Sequence, residues 1–318
     1  MTEDTALKIL VISIQDRNPN NDKLYDHLGK KCKLELLKLS KLQAKIFYNY
    51  INPKDSDSYD RILIDLPFRL IYPHAKKLRK QKKLVFYEED SCQNYIKNSS
   101  WFGKFIKFYA SIPNSRALTT SKFVTEGFKK SGIDAVYIGK SYDESVIINK
   151  KISRKIKFAF VGRVKSKVYS ERKAVLDEIL NLLPLKILRS EPGVEYNLLL
   201  NEITYFISVD FGLGEYMIKN FEALAAGCVL CTYRLPYEFL HIGFKDMENA
   251  VLYSTPEELV QKIKFIEKNS ALKASIIENG LLLAQSFTFE SHAKKLYKAL
   301  SDNILVDEKS KPRFLKFF

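Results

Sequence analysis

The apolar positions of the chain fall into short runs separated by segments in which they recur every three or four residues. Leu7 to Ile14 (LKILVISI), Lys33 to Ser40 (KLELLKLS), Tyr59 to Pro67 (YDRILIDLP), Lys83 to Tyr87 (KLVFY), Ala117 to Thr120 and Ala135 to Ile138 (AVYI) read as strands. Several are apolar on both faces, as a sheet covered by helices on each side requires. Between them the spacing predicts helices near Lys23 to Leu28, Lys41 to Ile51, Leu70 to Lys80, Ser100 to Tyr109 and Lys122 to Ser131. Such alternation predicts an α/β fold with a parallel, doubly wound sheet.

The pattern breaks at Asp143 to Lys155 (DESVIINKKISRK), a polar and basic connection, and resumes at Ile156 to Val161 (IKFAFV). A domain boundary is expected there. The second half repeats the scheme: helix Ser170 to Asn181, strand Leu185 to Leu188, helix Val194 to Asn201, strand Tyr205 to Val209, helix Glu215 to Ala226, strand Val229 to Thr232. Thr255 can cap a further helix with Pro256 at its first position and Glu258 completing a capping box; Leu259, Ile263 and Ile266 form its apolar stripe. Ala271 to Gln285 is periodic, and SFTF introduces a last helix from Glu290 to Leu300. The expected units are residues 1–145, residues 146–289, a helix at 290–302 that can cross back to the first unit, and a basic, aromatic tail at 303–318. Two doubly wound units leave a cleft between the carboxyl ends of their sheets, where such sheets bind ligands. Nucleotide-sugar transferases, epimerases and two-lobed binding proteins share this plan, so fold alone does not separate them.

Composition narrows the classes. The 318 residues suffice for about two domains, and 46% hydrophobic with 13% aromatic content excludes a disordered chain. A net charge of +15 attracts nucleic acid, anionic lipid or phosphorylated small molecules, but the basic residues are dispersed. Four scattered cysteines are too few for a disulfide framework and favour a reducing compartment. The start, MTEDTALKILVIS, has no basic n-region, and no apolar run approaches the ~20 residues that span a bilayer. The expected location is cytoplasmic, with peripheral attachment to the inner face of the membrane as an option. WFGKFIKFY at Trp101 to Tyr109 and the tail KSKPRFLKFF interleave aromatic and basic residues, as a membrane-surface segment does. A core helix with two snorkelling lysines is the alternative for the first of them, and taken alone the segment favours it.

Candidate chemistry concentrates before and within NFEALAAGCVLCT. Gly212 and Gly214 let backbone approach a ligand, and the amides of the helix behind them suit a diphosphate. On a 3.6-residue period Met217, Phe221 and Leu224 make the core face, with Glu215, Lys219 and Glu222 opposite. Glu222 would then lie about 12 Å along the helix from Gly214, placed to accept hydrogen bonds from two ribose hydroxyls. An i, i+4 ion pair of Glu215 with Lys219 on a solvated helix is the alternative.

The run KNFEALAAGCVLCT, followed by NAVLY, PEELVQKIKFI and SFTFESHAKKL, resembles the C-terminal domain of retaining group 1 glycosyltransferases, especially the spore-maturation-type subgroup. FVGRVKSKVYSERKAVL resembles the strand and basic loop that open that domain, and RALTTSKFVTEGFKKSGIDAVYIGKSYDES the elements leading to the hinge. The resemblance implies the GT-B fold, two Rossmann-like domains facing across a cleft, with an acceptor domain first and a nucleotide-sugar donor domain second. It also implies a nucleotide-diphosphate sugar as donor substrate and no catalytic metal or further cofactor. By that resemblance Glu222 holds the ribose, Arg163 and Lys167 hold the diphosphate, and Val194, Glu195 and Tyr196 occupy the base-binding loop. The family's two glutamates are separated by seven residues, whereas six separate Glu215 from Glu222 and Gly214 takes the matching position. Glu215 is therefore a candidate only. The glycine-rich turn after the first strand is also absent: Gln15, Asp16 and Arg17 replace it or form a plain loop.

FYEED at Phe86 to Asp90 ends a strand and is expected to face the cleft; Glu88, Glu89 and Asp90 offer a general base or acceptor-binding carboxylates, or form an ordinary loop. Cys228 and Cys231 read as core residues, and His27, His74, His241 and His292 stand singly, so a metal site has little support. His292 is expected at the surface or as a cap. Cations at the donor diphosphate stabilise the charge that develops as the sugar leaves. The function expected is sugar transfer from a nucleotide donor to a saccharide or lipid-linked acceptor of the cell envelope. The alternatives are a nucleic-acid-binding protein or DNA-modifying glucosyltransferase, raised by the charge, and a non-catalytic scaffold, raised by the glutamate spacing.

Overall fold

The computed structural model describes residues 6–51, 58–166 and 169–305; Lys167 and residues 306–318 of the tail lie outside the described residues. The first half runs β1 (Lys8–Ile14), α1 (Asp22–Gly29), β2 (Lys33–Leu39), a 3-10 helix (Gln43–Tyr50), β3 (Arg61–Asp65), α2 (Phe68–Ile71), a 3-10 turn (Tyr72–His74), α3 (Ala75–Leu78), β4 (Leu84–Glu88), a 3-10 turn (Ser91–Asn94), α4 (Lys104–Ala110), β5 (Ser115–Thr119), α5 (Lys122–Lys130) and β6 (Asp134–Tyr137). The second runs β7 (Ile156–Val161), α6 (Ser170–Leu182), β8 (Lys186–Leu188), α7 (Val194–Glu202), β9 (Ile203–Ser208), α8 (Ile218–Ala225), β10 (Val229–Tyr233), α9 (Phe239–Ile242), β11 (Val251–Tyr253), α10 (Pro256–Glu267), α11 (Ser270–Ala284), a 3-10 turn (Gln285–Phe287) and α12 (Phe289–Ser301).

Two separate parallel sheets result, β2-β1-β3-β4-β5-β6 and β11-β10-β9-β7-β8. Alternate residues of one strand enter different cores: Leu10 and Ile12 pack on one face of the first sheet, Ile9 and Val11 on the other. Phe206 and its neighbours Tyr205 and Ile207 divide likewise across the second sheet. Helices cover both faces, which is why these strands are apolar throughout. In each sheet the first strand lies between the second and the third, so the order reverses at β1/β3 and again at β7/β9.

α12 returns to the first sheet. Tyr142 and the segment before α12 exchange backbone hydrogen bonds of 2.9 Å, Tyr142 N to Phe287 O and Phe289 N to Tyr142 O. The Glu144 carboxylate accepts from Phe289 N at 2.8 Å and Glu290 N at 3.1 Å, an anion at the positive end of the helix. Phe289, Ala293, Leu296 and Leu300 then join Ile9, Val11 and Leu24 in the first sheet's core.

Caps behave as local chemistry dictates. Thr255 accepts from Glu258 N at 3.2 Å, while the Glu258 carboxylate accepts from Ser254 N, one residue earlier than a regular capping box. Other helices depart from their expected limits. The segment from Leu70 to Lys80 is broken into α2, a turn and α3, because Pro73 has no amide to donate. Lys41 to Ile51 is a 3-10 helix with non-helical backbone at Ile46. Gly103, in the left-handed region at φ 65°, delays α4 to Lys104. His292 is not at the surface: it lies on the packed face of α12, 1% exposed, with its Nε2 3.0 Å from the Tyr87 hydroxyl. Burial pushes its pKa down to about 3, so it is neutral.

Candidate active site

A cavity opens at each reversal of strand order, where doubly wound sheets bind ligands. The one at β1/β3 has a volume of about 600 Å³, and its walls include Arg17, Asp65, Glu88, Glu89 and Asp90. The one at β7/β9 has a volume of about 230 Å³ and is walled by Gly162, Arg163, Arg172, Ser208, Asp210 and Lys219 among others.

The second cavity is built on Asp210, at the end of β9. Its Oδ2 accepts from Met217 N at 3.1 Å and Asn220 Nδ2 at 2.6 Å, tying down the start of α8. Arg172 is only 6% exposed and donates from Nε to Val209 O at 2.8 Å, with its Nη2 3.4 Å from Asp210 Oδ1. Lys219, in the first turn of α8, donates to Val161 O at 2.8 Å and sits 5.6 Å from the centre of the Tyr196 ring. Burial lowers the Lys219 pKa; Glu222 opposes this, while Arg172, Arg189 and Arg163 push it further down. Three guanidiniums and an ammonium thus share one field at a helix N-terminus, an arrangement that favours an anionic ligand.

Glu222 stands one turn into α8, beside Lys219 and Tyr196. Burial raises its pKa to about 7, the two neighbours partly offsetting the shift. The Tyr196 hydroxyl is buried beside this carboxylate without a completed hydrogen bond. Glu195 points to solvent on the outer side of α7, and Arg163 is exposed at the cavity rim.

The helix expected at Glu215 to Ala226 begins at Ile218 instead. Gly212 and Gly214 adopt φ of 76° and 69°, and Met217 is extended at φ −76°, ψ 153°. The glycines therefore shape a loop rather than leading directly into the helix, and Glu215 does not share a face with Lys219 and Glu222. Glu215 is 1% exposed and turned toward the first domain, where it lies 3.3 Å from Lys140 Nζ and accepts from Thr120 Oγ1 at 3.1 Å. The i, i+4 pair with Lys219 is replaced by this contact across the cleft. Gly214 in turn lies against Phe123, 3.5 Å from the place a Cβ would take.

The three acids after β4 separate. Glu88 is buried and accepts from the Tyr109 hydroxyl at 2.7 Å; burial pushes its pKa up to about 8. Glu89 pairs with Arg17, which also lies 2.6 Å from Asp65. Burial raises the Glu89 pKa, but Arg17 and Lys140 outweigh it and hold the carboxylate below its ordinary value. Asp90 is exposed at the cavity rim. Mutual repulsion, the expectation from clustering, is a minor influence beside burial and Arg17.

Arg172 and Asp210 carry the second cavity without standing out as candidates in the sequence, whereas Arg17, expected either to replace the missing glycine-rich turn or to be plain loop, bridges Asp65 and Glu89 at the first. Asp210 left one trace, an acid closing a strand just before Gly212. Arg172 left none, being one of several charged residues in SERK. Cys228 and Cys231 are buried free thiols of the second core. Among the described residues no group of three or more His, Cys, Asp and Glu side chains is placed to hold a metal ion.

Residues 147–298 match the model of the glycosyl transferase-like family. HepE from Anabaena, in complex with UDP and glucose, superposes with a TM-score of 0.65 at 12% identity over 93% of this chain and 99% of its own. Residues 147–298 are glycosyl transferase-like, and the chain has the GT-B fold. Sucrose-phosphate synthase from Thermosynechococcus elongatus has a TM-score of 0.62 to this chain at 12% identity, covering 92% and 99% of the two chains. The DNA-modifying enzyme β-glucosyltransferase gives 0.62 at 10% identity over 92% and 99%. No curated protein sequence matches it.

Proposed function

We propose that the β7/β9 cavity holds the diphosphate of a nucleotide-sugar and that the β1/β3 cavity receives the acceptor. The observation that carries this reading is the cationic group around Lys219 at the start of α8, with Glu222 and the unpartnered Tyr196 hydroxyl one turn on. Arg163 and the buried Arg172 meet the charge that develops on the departing diphosphate, a role the resemblance also gives Lys167; no bound metal is needed for that role. Glu222 accepts from ribose hydroxyls, and Tyr196 donates its free hydroxyl beside it. Glu195 and Val194 border the base. UDP is the first nucleotide to try, since HepE was captured with UDP and with UDP-glucose. Glu89 or Asp90 contacts acceptor hydroxyls at the first cavity. Glu215 is assigned to the contact between domains and not to the sugar.

The acceptor we favour is a saccharide or a lipid-linked saccharide in cell-envelope polysaccharide assembly, such as lipopolysaccharide or capsule, with retention at the anomeric carbon. The enzyme would work on the cytoplasmic side, attached peripherally to the membrane. Among the described residues no helix is long and apolar enough to cross a membrane. A thermal-shift screen of nucleotides and nucleotide-sugars tests the donor: a ligand at 100 times its dissociation constant adds about 2.7 kcal/mol of stability. Arg163→Ala should lower turnover by a hundredfold or more, about 3 kcal/mol of activation free energy, without unfolding the protein. Normal turnover in both Arg163→Ala and Glu222→Ala would reject the site.

A second reading, transfer to DNA, is favoured by the net charge of +15 and the likeness to a DNA-modifying glucosyltransferase. Weak binding to duplex DNA at low salt would dispose of it.

A further inference from the structure

Most of the chain's excess positive charge is gathered in one helical layer of the first domain. Residues 41–51 hold two lysines, 67–83 seven basic residues and 91–112 three, and none of these segments contains an aspartate or glutamate. They are one layer because their rings interlock. His74 meets Tyr48 at 4.6 Å between centroids, Phe68 stacks on Phe105 at 3.7 Å and meets Trp101 at 5.2 Å. Their apolar sides cover the first sheet, leaving the charged sides outward.

Between these lysines the layer exposes apolar side chains. Leu42 is 75% exposed, Ile46 42% and Phe102 53%. Cations alone would suit any polyanion; exposed aliphatic side chains among them gain from a hydrocarbon interior, which a phosphate backbone does not offer. The same layer borders the larger cavity, since Lys41, Lys45, Phe68 and Arg69 line it. We infer that this layer is a docking surface for an anionic lipid bilayer, and that the β1/β3 cavity takes its acceptor from that bilayer. Delivery of the acceptor from the bilayer rests on the reading of that cavity as the acceptor site; the docking surface does not.

Leu42, Ile46 and Phe102 enter the headgroup region while the lysines neutralise anionic lipids. The attraction falls off within a Debye length, so it requires this face to lie against the membrane. The Trp101–Tyr109 segment contributes through Phe102 and Lys107, while its remaining rings serve the core.

Co-sedimentation of the full chain with phosphatidylcholine vesicles, with and without phosphatidylglycerol, tests the surface. Binding is expected only when phosphatidylglycerol is present. Lys76→Gln and Lys107→Gln, both exposed and outside the cavity, should each weaken it about fivefold, the equivalent of about 1 kcal/mol per basic residue near an anionic surface. Phe102→Ser should leave a weaker binding that salt abolishes. Donor-induced thermal stabilisation without vesicles should be unchanged in all three, which separates this surface from the donor site. Equal binding to both kinds of vesicle, no binding to either, or binding that survives all three substitutions overturns the proposal. So does tighter binding to duplex DNA than to vesicles, if the same substitutions abolish it.

Discussion

Glu222 shows how one buried charge links stability to pH. Its pKa rises from 4.5 to about 7 because burial disfavours the carboxylate. An acid with a raised folded pKa carries no penalty while both states are protonated and its full penalty once both are ionised. The native protein should therefore lose stability as pH climbs from about 4.5 through 7, by up to about 3 kcal/mol. Glu222→Gln cannot ionise, so without ligand it should match the native protein near pH 4 and exceed it near pH 8. Urea midpoints at the two pH values measure this; a gap independent of pH would show that Glu222 is not the group responsible. Its neighbours Lys219 and Tyr196 were both legible in the sequence, one from the helical period and one from the resemblance. FEALA could be read as a carboxylate on a helix, but the arginines that share the field of Lys219 come from other elements, and no spacing within α8 points to Arg172.

Elements were legible wherever their limits are set locally. The strand runs, the Thr255 cap with Pro256, and the serine before α5 are all present, Ser121 Oγ accepting from Val124 N at 3.1 Å. Limits set by distant groups were not: α8 starts at Ile218 because Asp210 holds Met217 N from the end of β9. β11, Val251–Tyr253, is not among the strands the sequence predicts. The end of α12 depends likewise on a remote residue. Arg116, 4% exposed on β5, donates to Ala299 O at 2.7 Å, Asp302 O at 3.1 Å and Asn303 O at 2.6 Å, filling carbonyls the helix leaves unsatisfied. It also lies 3.0 Å from the buried Asp134 carboxylate. Arg116→Met removes these donors together and leaves the Asp134 carboxylate without its cation, with only Leu305 N still donating to it, so a loss of about 3–5 kcal/mol is expected in urea unfolding. A loss below about 1 kcal/mol would mean that water replaces the guanidinium and that α12 does not depend on it.

At the scale of the molecule the two domains touch through the loops at the carboxyl ends of their sheets. Glu238, 2% exposed, accepts from Ser121 Oγ at 2.8 Å and Phe123 N at 2.7 Å, so a carboxylate of the second domain sits on the N-terminus of α5 in the first. Next to it Glu215 faces Lys140, and Lys140 Nζ donates to Glu89 O at 3.0 Å. Burial works against the Lys140 ammonium, but Glu215 and Glu89 outweigh it and hold its pKa above the ordinary value. This pair therefore couples the domains, and breaking it has a defined signature. Lys140→Met leaves Glu215 buried without its cation and should cost about 3–5 kcal/mol at neutral pH. The loss should shrink in acid, because Glu215, whose pKa burial already raises, then takes up a proton and carries no charge to compensate. Glu215→Gln should cost less, since Lys140 keeps the Glu89 carbonyl. The double variant should recover most of the Lys140→Met loss, as removing a buried pair together often proves nearly neutral. A double-mutant cycle by urea unfolding supplies the coupling energy. Strictly additive losses would show that Lys140 and Glu215 act independently and that the domains are held by the Glu238 contact instead.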